Sequence, residues 1–178
     1  MKYLKELTVD GAGHYGISAP AVKKEKNLYT YLRITDINDN GTLNKNKLMG
    51  VDSPNAFKYI LKPNDIVFAR TGASTGRNYF YDIRDGELVY AGFLIKFSID
   101  SKKVNPLFIK YYCQSKLYWN WINTYNNGST RGNINAQTLG DMEIDLPSRE
   151  QQDFLVKVLY SIDEKIRVNQ IINDNLVV

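Results

Sequence analysis

At Ser148 this 178-residue chain turns into a helix that can run to its end. Ser148-Arg149-Glu150-Gln151 is a capping box, with Ser at the N-cap and Gln at the third helical position. Leu155, Leu159, Ile162 and Ile166 follow at spacings of 4, 3 and 4, and the same rhythm reaches Asn169, Asn173 and Leu176. This is the seam of a coiled coil with two polar positions, which fix register at some cost in stability. An amphipathic helix lying on its own domain would show similar spacing. Length separates the two readings: roughly 28 residues at 1.5 Å each make a helix about 42 Å long, more than a small body needs. Part of it is expected to meet another helix, through Leu155, Leu159, Ile162, Ile166 and Asn169.

The body ahead of that helix is organised around residues 65–81, DIVFARTGASTGRNYFY. An apolar run (66–69) and an alternating one (78–81) flank a loop of Gly, Ser, Thr and Arg. β-Branched and aromatic residues suit a half-buried pleated surface and glycines permit positive φ, so the segment predicts strand, polar loop, strand. Arg70 and Arg77 bracket the hydroxyls of Thr71, Ser74 and Thr75, while Gly72 and Gly76 allow close backbone approach. Guanidinium forks, hydroxyls and bare N–H groups suit a polyanion, and arginine also reads guanine edges. A nucleotide phosphate loop would read G-x-x-x-x-G-K-[ST]; here three residues separate the glycines, Arg77-Asn78 follow, and a strand comes next. A structural hairpin turn is the plain alternative.

Composition narrows the chemistry. One histidine, His14, and one cysteine, Cys113, exclude an internal disulfide and any Cys/His zinc cluster built within one chain. Cys113 reads as a small buried residue and His14 as a structural or surface one. No apolar run approaches membrane-spanning length and the first residues lack the apolar core of a signal peptide, so a cytoplasmic protein without membrane contact is expected. Residues 1–148 hold 19 basic and 14 acidic side chains, against four and five in 149–178. Residues 101–140 contain no Asp or Glu, while Lys102, Lys103, Lys110, Lys116 and Arg131 lie there among seven aromatic side chains. Such a body fits nucleic acid or another acidic partner, though the charge is also common in proteins that bind neither.

Along the chain, residues 29–34 predict a strand, Asn40-Gly41 a hairpin turn, and 88–97 one or two strands with Gly92 as a bulge or close approach. Asn105-Pro106 predicts a helix start. Its stripe of Leu107, Phe108, Tyr111, Tyr112, Tyr118, Trp121, Ile122 and Tyr125 reads as core before it reads as a base-stacking platform. Residues 126–133, NNGSTRGN, make a second loop with the chemistry of the first: Asn can bond adenine edges and Arg131 can grip guanine or phosphate. Residues 142–146 predict a short strand closed by Pro147, and residues 1–28 carry no clear signal.

Four segments in order, YLRITDI (31–37), NDIVFARTGASTGR (64–77), STRGNINAQTLGDMEIDLP (129–147) and SREQQDFLVKVLYSIDEKI (148–166), resemble the specificity subunit of type I restriction–modification systems. The resemblance implies an α+β fold: a β-rich globular DNA target recognition domain over residues 1–147, then a long coiled-coil-forming helix over 148–178. It implies a DNA-reading protein with no catalysis and no cofactor of its own. The implied partners are double-stranded DNA, modification (methyltransferase) subunits carrying S-adenosylmethionine, and a restriction subunit using ATP and Mg. A full subunit has two recognition domains, each reading half of a split target, with paired helices as a ruler between them. This chain has one domain and one helix, so it is expected to be a half-subunit that forms a homodimer through its helix, or a part of a longer subunit. The residues expected to face DNA are Arg70, Thr71, Ser74, Thr75 and Arg77 in the first loop and Asn127, Ser129, Thr130, Arg131 and Asn133 in the second. Arg and Asn are assigned to bases and hydroxyls to phosphates. The alternatives from other classes are a nucleotide-binding enzyme using the glycine loop, and a coiled-coil adaptor that binds no DNA.

Overall fold

The computed structural model describes residues 1–126 and 132–176. In chain order the strands are β1 (Lys2–Tyr3), β2 (His14–Tyr15), β3 (Ala21–Val22), β4 (Tyr29–Leu32), β5 (Met49–Val51), β6 (Asp65–Ala69), β7 (Asn78–Phe80), β8 (Leu88–Tyr90), β9 (Leu94–Ser98) and β10 (Glu143–Ile144). The helices are α1 (Pro106–Tyr112), α2 (Lys116–Asn126), α3 (Ala136–Gly140) and α4 (Arg149–Leu176). One sheet has the order β2-β9-β6-β7 and a second β3-β5-β4-β8, while β1 pairs with β10 at the edge of the body. The β4–β8 pair is parallel and every other pair is antiparallel.

β6 is the hub. It pairs with β7 through Ile66↔Phe80, Val67↔Tyr79 and Phe68↔Asn78, and with β9 along its whole length. All five of its residues are buried. Alternate side chains of a strand point to opposite faces: Ile66 and Phe68 join the core shared with Ile109, Tyr118, Ile122 and Leu139 of the helices, whereas Val67 and Ala69 join Leu32, Leu88 and Tyr90 of the second sheet. β6 is therefore a middle layer, buried on both faces rather than on one. An unbroken apolar run with no polar alternation suits that position.

The remaining elements follow the sequence, with corrections at the Asn40-Gly41 turn and in the helix after Asn105. The 88–97 stretch is two strands in two different sheets, with Gly92 at the corner close to the Ile17 backbone. The Asn40-Gly41 turn forms, with Asn38 N–H donating to Thr42 O at 2.9 Å, but only the Ile37↔Leu43 bridge closes it. The strands that pair across it are β4 and β5, farther out. The helix begun by Asn105, whose side chain accepts from Leu107 N–H, stops at Cys113 and restarts at Lys116. Asn78 on the hairpin takes up the break: its Nδ2 donates to Cys113 O at 2.8 Å and its Oδ1 accepts from Gln114 Nε2 at 2.7 Å. The expected stripe is core at Tyr118 and Ile122, and Cys113 is fully buried, which pushes its thiol pKa up.

α4 starts with the predicted capping box, in which Gln151 N–H meets Ser148 Oγ at 3.4 Å and Ser148 N–H donates to Gln151 Oε1 at 3.1 Å. It runs for 28 residues. Among the described residues no helix is long and apolar enough to cross a membrane.

Candidate nucleic-acid interface

The loop between β6 and β7 has two halves with different duties. Its second half is built into the core. Thr75 is buried, and its hydroxyl lies 2.7 Å from Gly72 O and 3.0 Å from Gly132 O. Gly76, at φ +89°, sits where a Cβ would come within 2.6 Å of Ile122, and its carbonyl accepts from the buried Tyr118 hydroxyl at 2.5 Å. Only glycine meets both demands. The first half, Arg70 to Ser74, lies at the surface, with Ala73 exposed at its tip. β7 follows the loop rather than a helix, so the glycines open onto no helix N-terminus of the kind that a nucleotide phosphate loop requires.

The first loop is joined to the strip of chain that ends the second. Thr71 and Asn133 form an antiparallel bridge, Gly72 N–H donates to Gly132 O at 3.1 Å, and Ile134 N–H donates to Arg70 O at 2.9 Å. Two segments some 60 positions apart in sequence thus share one ridge. Asn133 is exposed on it and Thr71 and Ser74 are half-buried. Asn127, Ser129, Thr130 and Arg131 lie outside the described residues.

The two arginines that bracket the loop are in opposite electrostatic states. Arg77 Nε pairs at 2.6 Å with Asp39, a carboxylate on the Asn40-Gly41 turn that is itself 83% exposed. Arg70 has no carboxylate partner among the described residues; its guanidinium carbon lies 5.1 Å from the centroid of the Tyr15 ring. Arg70 Nε is buried and has no hydrogen-bond acceptor among the described residues. The Arg70 N–H donates to Phe93 O, and the Phe93 ring is exposed beside it at the β8–β9 corner. The ridge therefore presents a guanidinium without a carboxylate partner among the described residues, beside the exposed Tyr15 ring, a combination suited to phosphates and base edges.

Two expectations about individual residues change. Thr75 is removed from the set facing outward, because a hydroxyl held against two backbone carbonyls in the core cannot reach a ligand. Arg77 is charge-compensated. Three neighbours were not singled out by sequence: Tyr15, Phe93 and Asp39. Tyr15 lay in a glycine-rich stretch with no period to read, and its register against Ile95 on β9 places it under Arg70. Among the described residues no group of three or more His, Cys, Asp or Glu side chains is close enough to hold a metal ion. His14 is engaged with Asp10 at 2.6 Å on the surface.

A second candidate surface runs along α4. One face of the helix meets the body through Gln152 and Val156, both buried. Gln152 bridges Asn105 N–H and Pro147 O, Asp163 accepts from Lys110 Nζ at 2.6 Å and Tyr111 OH at 2.9 Å, and Glu164 pairs with Arg84 at 2.9 Å. The predicted seam points elsewhere. Leu155, Leu159, Ile162 and Ile166 are 44, 37, 48 and 51% exposed, and Asn169 is exposed with them. The helix packs on its own domain, and it does so with a face other than the predicted seam.

Known proteins fit this architecture. The chain superposes on a chain from a structural study of complex assembly and conformational transition of the type I R-M system, with TM-score 0.63 and 16% identity over 98% of this chain and 44% of that one. It also superposes on the HsdS subunit from Thermoanaerobacter tengcongensis, with TM-score 0.64 and 15% identity over 98% of this chain and 44% of that one. For the type I restriction-modification system S subunit from M. genitalium the values are 0.62, 15%, 95% and 40%. At these identities the likeness is one of fold, and the chain spans less than half the length of each of these proteins. No curated protein matches it in sequence. The family model described as "Type I restriction modification DNA specificity domain" matches residues 13–177, nearly the whole chain, and the chain belongs to that family.

Proposed function

We propose that this chain reads one half of a bipartite DNA target as a specificity component of a type I restriction–modification complex. Residues 1–147 serve as the recognition unit and residues 148–178 as the spacing and assembly helix. The observation that carries the reading is the ridge formed where Thr71 bridges Asn133, which joins the first loop to the described end of the second beside Arg70 and its Tyr15 contact. Arg70, Thr71, Ser74 and Asn133, with Asn127, Ser129, Thr130 and Arg131 of the second loop, face the DNA. Arg77 joins them once Asp39 releases it. Methyl transfer, with S-adenosylmethionine, and the ATP- and Mg-dependent steps belong to the modification and restriction subunits that this component docks. The chain contributes position and selectivity.

Substituting both Arg70→Ala and Arg131→Ala in the assembled complex should weaken specific DNA binding about 10-fold or more, since each good base contact is worth about 1–3 kcal/mol. Unchanged binding would refute the loop assignment. The open seam on α4 supports a homodimer as the assembly form. Two-fold symmetry then requires a palindromic split target with a fixed spacer. Mapping of methylated adenines in the source genome tests it, and an asymmetric motif would rule the homodimer out.

A further inference from the structure

We infer that Tyr15 is a positioning residue that holds Arg70 as an end-on fork for a single guanine, making this pair a specificity determinant of the half-site. The inference rests on the DNA-reading role proposed above and adds to it one base and the residue that aims the contact. Sequence-specific readout needs a side chain whose plane is fixed before DNA arrives; a phosphate contact tolerates a mobile one. Arg70 is fixed in that sense. Its backbone is clamped on both sides, by N–H to Phe93 O and by its carbonyl to Ile134 N–H. Its guanidinium carbon lies 5.1 Å from the Tyr15 ring centroid. The Tyr15 ring is in turn anchored at its far end, where its hydroxyl accepts from Ala136 N–H, the first residue of α3, at 3.2 Å.

The buried Nε adds a geometric restriction. A guanidinium can meet a two-acceptor edge side-on, through Nε and one terminal nitrogen, or end-on, through both terminal nitrogens. Nε is shut off from solvent and has no acceptor among the described residues, so the side-on mode is closed. The end-on pair spans two adjacent acceptors, as O6 and N7 of guanine present them in the major groove. Arg77 does not share this role, because its charge is paired with the Asp39 carboxylate, 2.6 Å away.

The test uses the full chain assembled with its modification subunits and a library of duplexes randomised across the target. The wild-type complex should demand guanine at one position of each half-site. Arg70→Lys keeps the charge and should relax that demand about 10-fold or more, with the other positions and the salt dependence of binding unchanged. Tyr15→Leu should relax the same position by about half that factor on a logarithmic scale, whereas Tyr15→Phe, which keeps the ring, should retain it. Placing 7-deazaguanine at that position should cost the wild type a similar factor and cost Arg70→Lys nothing further. Uniform weakening on all sequences by Arg70→Lys would make Arg70 a phosphate contact and overturn the inference while leaving the DNA-reading role standing. An unchanged guanine preference in either Arg70→Lys or Tyr15→Leu would do the same. A wild-type complex with no base preference anywhere would overturn both.

Discussion

The body and the C-terminal helix treat their large apolar residues in opposite ways. In the body Phe68, Phe97, Tyr118 and Ile122 are fully buried, and β6 is covered on both faces. On α4 the four residues of the seam stay between 37 and 51% exposed, with Val158, Ile172 and Leu176 also open. The helix turns a largely polar face to the body, holding it with Gln152, Asp163 and Glu164. Apolar periodicity in a sequence marks a surface destined for burial, but it does not say what does the burying. In the body the complement is the rest of the chain. For α4 the seam has no such complement among the described residues.

The sharpest way to break this contrast is to charge the seam. Replacing Ile162 and Ile166 together with Glu should convert a dimer of about 41 kDa, twice 20.4 kDa, into a monomer by light scattering. Four isoleucines lose their burial per dimer, worth about 6 kcal/mol or more at the usual value for each side chain. The melting temperature of the body should hardly change, because both residues lie on the exposed side of α4, away from the buried Gln152 and Val156. A variant that stays dimeric would place the interface elsewhere.

The converse substitution acts inside the body. Phe68→Ala removes a fully buried ring that meets Phe97 edge-on at 6.0 Å and Tyr118 at 6.2 Å. A cost of about 3–5 kcal/mol in denaturant unfolding is expected. If the seam alone held the molecule together, this change would instead show mainly in the dimer's dissociation constant.

A smaller effect separates the two halves of the glycine loop. Thr75→Val keeps the shape but leaves the Gly132 carbonyl without its hydroxyl partner, at an expected cost of about 1–2 kcal/mol. Ser74→Ala, one residue away at the surface, should leave stability within about 0.5 kcal/mol of wild type. Equal costs for the pair would erase the division between a core half and a surface half.

How much of this was readable beforehand depends on whether the controlling interaction is local. The α4 capping box and the Asn105 cap are set by residues within three positions and the β6–loop–β7 hairpin by pairs 10 to 14 positions apart, and the sequence foretold all three. The break between α1 and α2 was not foretold, because the side chain that stabilises it, Asn78, lies 35 positions upstream. The bridge between Thr71 and Asn133 is equally remote: composition matched the two loops, and only the fold joined them. Thr75 looked like its neighbouring hydroxyls in sequence, yet packing against Gly132 takes it out of reach. Tyr15 sits on a two-residue strand, too short to show any period.

The least of the expected effects tests how the polar face of α4 is held. Arg84 bridges Asp82 on the body and Glu164 on the helix, at 2.5 and 2.9 Å. Hydrogen bonds from Arg167 and Arg84 hold the Glu164 carboxyl below its usual value, and Arg84 does the same for Asp82. A carboxylate whose pKa is depressed by folding stabilises the fold above its unfolded pKa, and that stabilisation drains away as pH falls through the folded value. Melting temperature should therefore hold between about pH 7 and 5 and decline below the ordinary carboxylate range, near pH 4. Arg84→Met should flatten the part of that decline due to these two groups while costing little at neutral pH, since exposed ion pairs contribute little net stability. The same variant should loosen the helix from the body without loosening the seam, so hydrogen exchange should rise around residues 160–167 while the dimer mass stays fixed. Loss of the dimer on Arg84→Met would mean that the two faces of α4 are coupled, and that the body sets the geometry in which the seam can pair.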